Sequence, residues 1–170
     1  MATGRLHFSC KPEPADVFII AVQTPYRETP EKKRVSDMRF VEAAAREVGS
    51  VIRAGGLCVL ESTSPPGSTR LVERIVSEVS GLKPEEFMTA HCPERIIPGR
   101  MLIELRQNDR IIGSNRPEAA EYAKSIYEKV VTKGTIRLTD DLTAEMCKLT
   151  ENTFRDINIA YANELSKVCD

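Results

Sequence analysis

A chain of 170 residues with 41% hydrophobic and 29% charged residues suits one ordinary domain with a real core, and excludes a disordered or fibrous polypeptide. A net charge of -1 gives no bulk attraction to nucleic acid or to an acidic membrane surface, and no apolar run approaches the ~20 residues of a bilayer span. The five cysteines, at 10, 58, 92, 147 and 169, form no C-x-x-C pair, the start lacks the apolar segment of a secretory signal, and a reducing cytoplasm is expected.

In chain order, Val17 to Val22 is a continuous apolar, β-branched run, as expected of a strand covered on both faces of a parallel sheet. Gln23-Thr24-Pro25 ends it, and "YRETPEKKRVSD" reads as a polar loop. From Met38 to Arg53 apolar residues recur at helical spacing, with Ser36 or Asp37 available as N-cap. Gly55-Gly56 stops that helix. "LCVLESTS" reads as a second buried strand; after Pro65-Pro66-Gly67, Ser68 or Thr69 can cap a helix to about Val79. "EFMTAHCPER" is a third strand, "DRIIGS" a fourth, "PEAAEYAKSIYEKVV" a helix with Pro117 in its first turn, and "GTIRLTD" a fifth strand. From Leu142 onward one long helix is expected, leaving the sheet around Thr139-Asp140-Asp141. Alternating strands and helices imply βαβ units, hence an α/β fold with a parallel sheet.

Ligands of open parallel sheets sit outside the carboxyl ends of the strands. The first strand ends with Thr24, the second with Glu61, Ser62 and Thr63, and the third with His91, Glu94 and Arg95. Hydroxyls beside a helix N-terminus suit a phosphate or ribose; Thr24 and Ser62 equally suit turn and cap duties. In "PERIIPG", Pro93, Pro98 and Gly99 hold a rigid loop carrying Glu94 and Arg95, either for chemistry or as a mutual ion pair closing the loop. His91 and Cys92 are adjacent in a strand, point to opposite faces and make no catalytic pair; no metal site is expected.

In the last helix Met146, Leu149, Thr153, Ile157 and Ala160 form a stripe widened by Phe154, Tyr161, Leu165 and Val168. That predicts burial on more than one side, in the core or against a partner chain. Lys148, Asn152 and Arg155 share a neighbouring face. If the helix crosses the sheet's carboxyl edge, Lys148 and Asn152 come near the Glu94 loop, where a partly desolvated lysine acts as acid or base.

"AVxTP", "ESTSPPGST", "HCPERIIPG" and "AEMCKLTENTFRDINIAYANEL", in that order, resemble the UDP-sugar 6-dehydrogenases, nearest the branch acting on UDP-N-acetyl-D-mannosamine. The resemblance runs from about Ala15 to Asp170. It implies a partial Rossmann-like parallel sheet followed by a long central helix, with 1–139 as the C-terminal part of an NAD-binding domain and 140–170 as the start of a helical dimerisation domain. It implies a two-step oxidation of a primary alcohol to a carboxylate with two NAD, Thr24, Glu61 and Ser62 at the cofactor, and Glu94, Arg95 and Ile96 at the sugar nucleotide. Lys148, Asn152 and Glu94 are implied to be catalytic, and Arg155 to contact the substrate beside Lys148 and Asn152. A homodimer through the 142–170 helix is implied too. The family's G-x-G-x-x-G turn and its nucleophilic cysteine motif do not occur in the sequence, and neither Cys147 nor Cys169 matches the latter; a partial chain, inactive alone, is the expectation, with a non-catalytic oligomerisation module as the other reading.

Overall fold

The structure, a computed structural model, describes residues 6–96 and 99–169. Its elements in chain order are β1 (Val17–Ile20), β2 (Tyr26–Glu28), β3 (Arg34–Ser36), α1 (Arg39–Gly49), β4 (Leu57–Leu60), α2 (Ser68–Ser80), β5 (Met88–His91), α3 (Met101–Gln107), β6 (Arg110–Gly113), α4 (Pro117–Tyr127), β7 (Ile136–Thr139) and α5 (Asp141–Cys169).

The five expected strands form one sheet in the order β1-β4-β5-β6-β7. All neighbours are parallel except β5 and β6, which meet antiparallel at His91 and Gly113. The carboxyl ends of β1, β4 and β5 therefore share one edge, while β6 and β7 start at that edge and run away from it.

Period-two alternation divides the core. Cys58 and Leu60 of β4 join Phe18, Ile20, Val41 and Val76 under α1 and α2. Leu57 and Val59 join Ala90, Cys92, Ile112 and Ala123 under α4. Both sheet faces are covered, which is why β4 reads as an unbroken apolar run. Each fully buried aliphatic side chain contributes roughly 1.5–3 kcal/mol.

Several expectations are corrected. The "YRETPEKKRVSD" stretch is not loop throughout: β2 and β3 pair antiparallel, Tyr26 opposite Ser36. The turn closes through Lys32 N–H to Thr29 O (2.9 Å), with Lys32 at φ 58°. Its strands carry no apolar alternation, so periodicity was silent. The helix expected to Arg53 ends at Gly49, its N-cap is Met38, and Asp37 instead accepts the Arg39 N–H at 3.2 Å. The helix α3 has no counterpart among the elements expected from the sequence. Pro98, expected to stiffen the loop after β5, lies outside the described residues.

Of the two burials expected of α5, in the core or against a partner chain, the first does not occur. Only Asp141, Ala144 and Glu145 are buried, while Phe154, Tyr161 and Val168 are 70%, 68% and 81% exposed. The helix packs on β5 and β6 for its first turns and then projects beyond the sheet. Gly113 makes that packing possible, since a Cβ there would collide with the Asp140 carbonyl and with Ala144.

Candidate functional site: the cleft where α5 crosses the sheet rim

Two anchors fix the start of α5. Asp141, 1% exposed, takes two hydrogen bonds from the Arg70 guanidinium (2.7 and 3.0 Å). Glu145, fully buried, accepts the backbone N–H of Gly67 (2.6 Å), the N–H of Thr69 (2.7 Å) and the Thr69 hydroxyl (2.6 Å). Neither Ser68 nor Thr69 caps α2 as expected; Gly67 is the N-cap at φ 92°, and the acceptor for the free amides is a carboxylate 78 residues away. One turn later, the half-buried Lys148 donates to the Glu94 carbonyl. The helix crosses the rim where the sequence placed it, and Lys148 and the Glu94 loop are brought together.

Glu94 and Arg95 do not pair with each other. In an extended segment adjacent side chains diverge, and Arg95 instead meets Glu151 of α5 at 2.6 Å and donates to Asp109 O at 3.2 Å. Asn108 donates to Arg95 O at 3.1 Å. Burial pushes the Glu94 carboxyl above its ordinary value, opposed by the positive charges of Lys148 and Arg110.

Arg95, Asn108, Asp109, Lys148, Glu151, Phe154, Arg155 and Asn158 line a cleft of about 840 Å³. The Arg95 and Glu151 charges cancel, leaving Lys148 and Arg155 against Asp109. This suits a ligand with negative groups at one end and a ring that packs on Phe154. Asn152 is exposed and lies about 40° round the helix from Lys148, at the rim rather than in the wall. Ile96 is half-buried and is not among the residues lining the cleft. Sequence reasoning missed Asn108, Asp109 and Glu151. A parallel β6 would put Ser114 at this edge; the antiparallel strand brings its preceding turn there. Glu151 was within reach of the helical argument, being three residues from Lys148.

The β1 and β4 ends are tied to each other. The Thr24 hydroxyl donates to Thr63 O (2.7 Å) and the Ser62 hydroxyl to Val22 O (2.7 Å). As acceptors both remain able to meet a ribose or amide N–H at the carboxyl edge, where NAD is expected. A cradle for its pyrophosphate is another matter. The α2 N-terminus, the anion site of such a junction, is filled by Glu145, and no G-x-G-x-x-G occurs in the sequence. The residues present thus fit the ribose-nicotinamide end of a dinucleotide only. Glu61 faces away from Ser62, accepting the Tyr127 hydroxyl at 2.6 Å.

Burial holds the His91 ring down at about 4 and pushes the Cys92 thiol up to about 12. Cys92 sits under α4, so the pair has neither shared direction nor an activated thiolate. Among the described residues no cluster of three metal-ligating side chains occurs, and no helix is long and apolar enough to cross a membrane.

Residues 1–131 match the NAD binding domain of the UDP-glucose/GDP-mannose dehydrogenase family, and residues 142–170 match its central domain. The chain is 46% identical over 181 residues to the NDP-N-acetyl-D-galactosaminuronic acid dehydrogenase of Ralstonia nicotianae, covering 100% of this chain and 41% of that protein. It is 42% identical over 177 residues to the UDP-N-acetyl-D-mannosamine dehydrogenase of Escherichia coli K12, covering 98% and 40%. The solved UDP-D-ManNAc dehydrogenase of Pyrococcus horikoshii superposes with a TM-score of 0.81 at 45% identity, over 89% of this chain and 35% of that one. The chain thus spans about 40% of the length of the curated relatives it matches. NAD is the cofactor of the matched domain. The chain, a mostly parallel Rossmann-like sheet with a long helix to follow, belongs to the UDP-glucose/GDP-mannose dehydrogenase family.

Proposed function

We propose that this chain is part of an NAD-dependent UDP-N-acetyl-D-mannosamine 6-dehydrogenase, oxidising the sugar's primary alcohol to a carboxylate with two NAD per turnover, and that the cleft beside α5 holds the sugar nucleotide. The observation that carries the reading is the Lys148 ammonium seated on the Glu94 carbonyl at the cleft wall. There Lys148 stabilises the alkoxide or oxyanion that develops as hydride leaves. The rim amide of Asn152 supplements it. Glu94, whose carboxyl is pushed upward by burial, is suited to accept and return a proton or to order a water. Arg155 offers a guanidinium to phosphate, and Arg95 flanks the sugar from the cleft wall. Thr24 and Ser62 meet the ribose side of NAD, which when bound supplies the hydride acceptor.

Among the described residues no cysteine lines the cleft, and the chain alone is proposed to bind the sugar nucleotide without completing the second oxidation. The free cysteines suit a reducing compartment, and the cytoplasm is the proposed location. Isothermal titration with UDP-N-acetyl-D-mannosamine tests the proposal. Binding that weakens tenfold or more in Lys148→Met, as loss of a charged hydrogen bond of about 1.5–3 kcal/mol requires, supports it. Absence of binding to the native chain refutes it.

A second reading is favoured by the exposed stripe of Phe154, Ile157, Tyr161, Leu165 and Val168. Such a face on a projecting helix is suited to a second copy of the chain, so a homodimer through α5 is proposed beside the cleft. Sedimentation across a concentration series tests it, and a strict monomer removes it.

A further inference from the structure

Arg110 opens β6 with its guanidinium turned inward, 3% exposed, and among the described residues its Nε and Nη1 have no hydrogen-bond partner. The alternation that sorts the core explains its surroundings. Glu61 continues the Leu57, Val59 side of β4, Glu94 continues the Ala90, Cys92 side of β5, and Arg110 continues the Ile112 side of β6. All of them face α4. Glu61 Oε1 lies 3.9 Å from Arg110 Nη1, the Tyr127 ring lies under the guanidinium with 5.6 Å to its centroid, and the Tyr127 hydroxyl donates to Glu61.

The antiparallel pairing of His91 with Gly113 adds the decisive relation. Three residues outward on each segment, Glu94 falls opposite Arg110. The Asn108 to Arg95 and Arg95 to Asp109 hydrogen bonds show that the two segments still run side by side beyond the ladder. Directly opposed residues of an antiparallel pair share a face, with Cβ atoms ~5 Å apart. Glu94 Oε1 is itself buried without a hydrogen-bond partner. A guanidinium with N–H groups to spare thus stands across one strand spacing from a carboxylate with an oxygen to spare.

We propose that Arg110 is a positioning residue for Glu94: anchored from behind by Glu61 and Tyr127, its guanidinium compensates the carboxylate and keeps it turned to the rim beside Lys148. Glu61 serves as the counter-ion that holds the guanidinium. The proposal rests on the role of Glu94 in the proposed reaction, and its test reads the Glu94 carboxyl directly. Burial acts first on that carboxyl and favours its neutral form. Lys148 from α5 and Arg110 from β6 favour the charged form, and Glu61 beyond β4 and Glu104 from α3 oppose them. Cys92, one residue beyond β5, and Tyr127 on α4 are the titratable groups that face Arg110 and Glu61 from behind.

The experiment is a carbon-13 NMR titration of the Glu94 side chain, assigned with Glu94→Gln, in the whole chain and in Arg110→Met, Arg110→Lys and Glu61→Gln. Arg110→Met is expected to raise the Glu94 midpoint by about one further pH unit, tenfold in proton affinity, because a nearby cation is lost. Arg110→Lys, which keeps the charge, is expected to stay near the native midpoint. Glu61→Gln removes a like charge and frees the guanidinium, so the midpoint is expected to fall. A midpoint that is the same in the native chain, Arg110→Met and Glu61→Gln overturns the proposal. If Arg110→Met does not fold, a midpoint in Glu61→Gln that fails to drop overturns it alone. A Glu94 that titrates as expected in a chain binding no sugar nucleotide refutes the functional reading only; binding with a titration indifferent to Arg110 refutes this proposal only.

Discussion

Replacing Glu145 by alanine is the perturbation with the largest expected consequence for stability. Among the described residues its carboxylate is the acceptor for the Gly67 and Thr69 amides at the head of α2, at 2.6 and 2.7 Å, and it also takes the Thr69 hydroxyl. In Glu145→Ala the hydroxyl can turn to another acceptor, but the two amides cannot. Each buried donor left without a partner costs about 1–3 kcal/mol, and the positive end of α2 loses a compensating anion worth up to about 2 kcal/mol. Relief from burying a charge offsets part of this, so a net loss of about 3–4 kcal/mol is expected, against a total stability of roughly 5–15 kcal/mol. Glu145→Gln keeps one acceptor oxygen but sets an NH₂ group against a backbone N–H, for a loss of about 2 kcal/mol. Urea unfolding followed by circular dichroism gives both values. A loss below about 1 kcal/mol in Glu145→Ala would show that the amides find other partners and that α5 is not held to the sheet as described.

The other expectations are smaller. Gly113→Ala should cost about 1–3 kcal/mol, read by urea unfolding, because the new Cβ meets the Asp140 carbonyl and Ala144. Lys148→Met should leave the urea midpoint within ~0.5 kcal/mol of native while weakening nucleotide binding. Hydrogen bonds from the Arg39 guanidinium hold the Asp37 carboxyl down from 3.8 to about 2. A depressed carboxyl contributes stability that is whole above 3.8 and is lost as pH falls through about 2, so melting temperatures of native protein and Asp37→Asn should differ at neutral pH and converge at the acid end. A constant difference across that range would contradict the ion pair.

Much of the frame is legible because β4 is buried on both faces and its run Leu57–Leu60 reads as a strand without tertiary knowledge. The run Val17–Ile20 reads as a strand too, but β1 is the edge strand and is not covered on both faces as expected, with Ile19 50% exposed. What escaped was non-local. Nothing in "DRIIGS" says that its strand reverses direction, yet that reversal carries Asn108 and Asp109 to the cleft and sets Arg110 opposite Glu94. The cap of α2 comes from Glu145 across 78 residues, beyond any local capping signal. Alternation in "LCVLES" would have separated Glu61 from Ser62, since neighbouring side chains take opposite faces, and would have turned Glu61 toward α4 rather than the cofactor edge. The apolar stripe of α5 stays exposed in this chain, because apolar content alone does not say whether the same chain covers it.

The sugar nucleotide is proposed to lie between the Pro93–Arg95 loop and α5. Amide shift mapping by NMR during titration with UDP-N-acetyl-D-mannosamine tests it most directly. Shifts are expected to concentrate at Arg95, Asn108, Asp109, Lys148, Glu151 and Arg155. Saturable shifts gathered at any other surface, with those six residues unmoved, would contradict it.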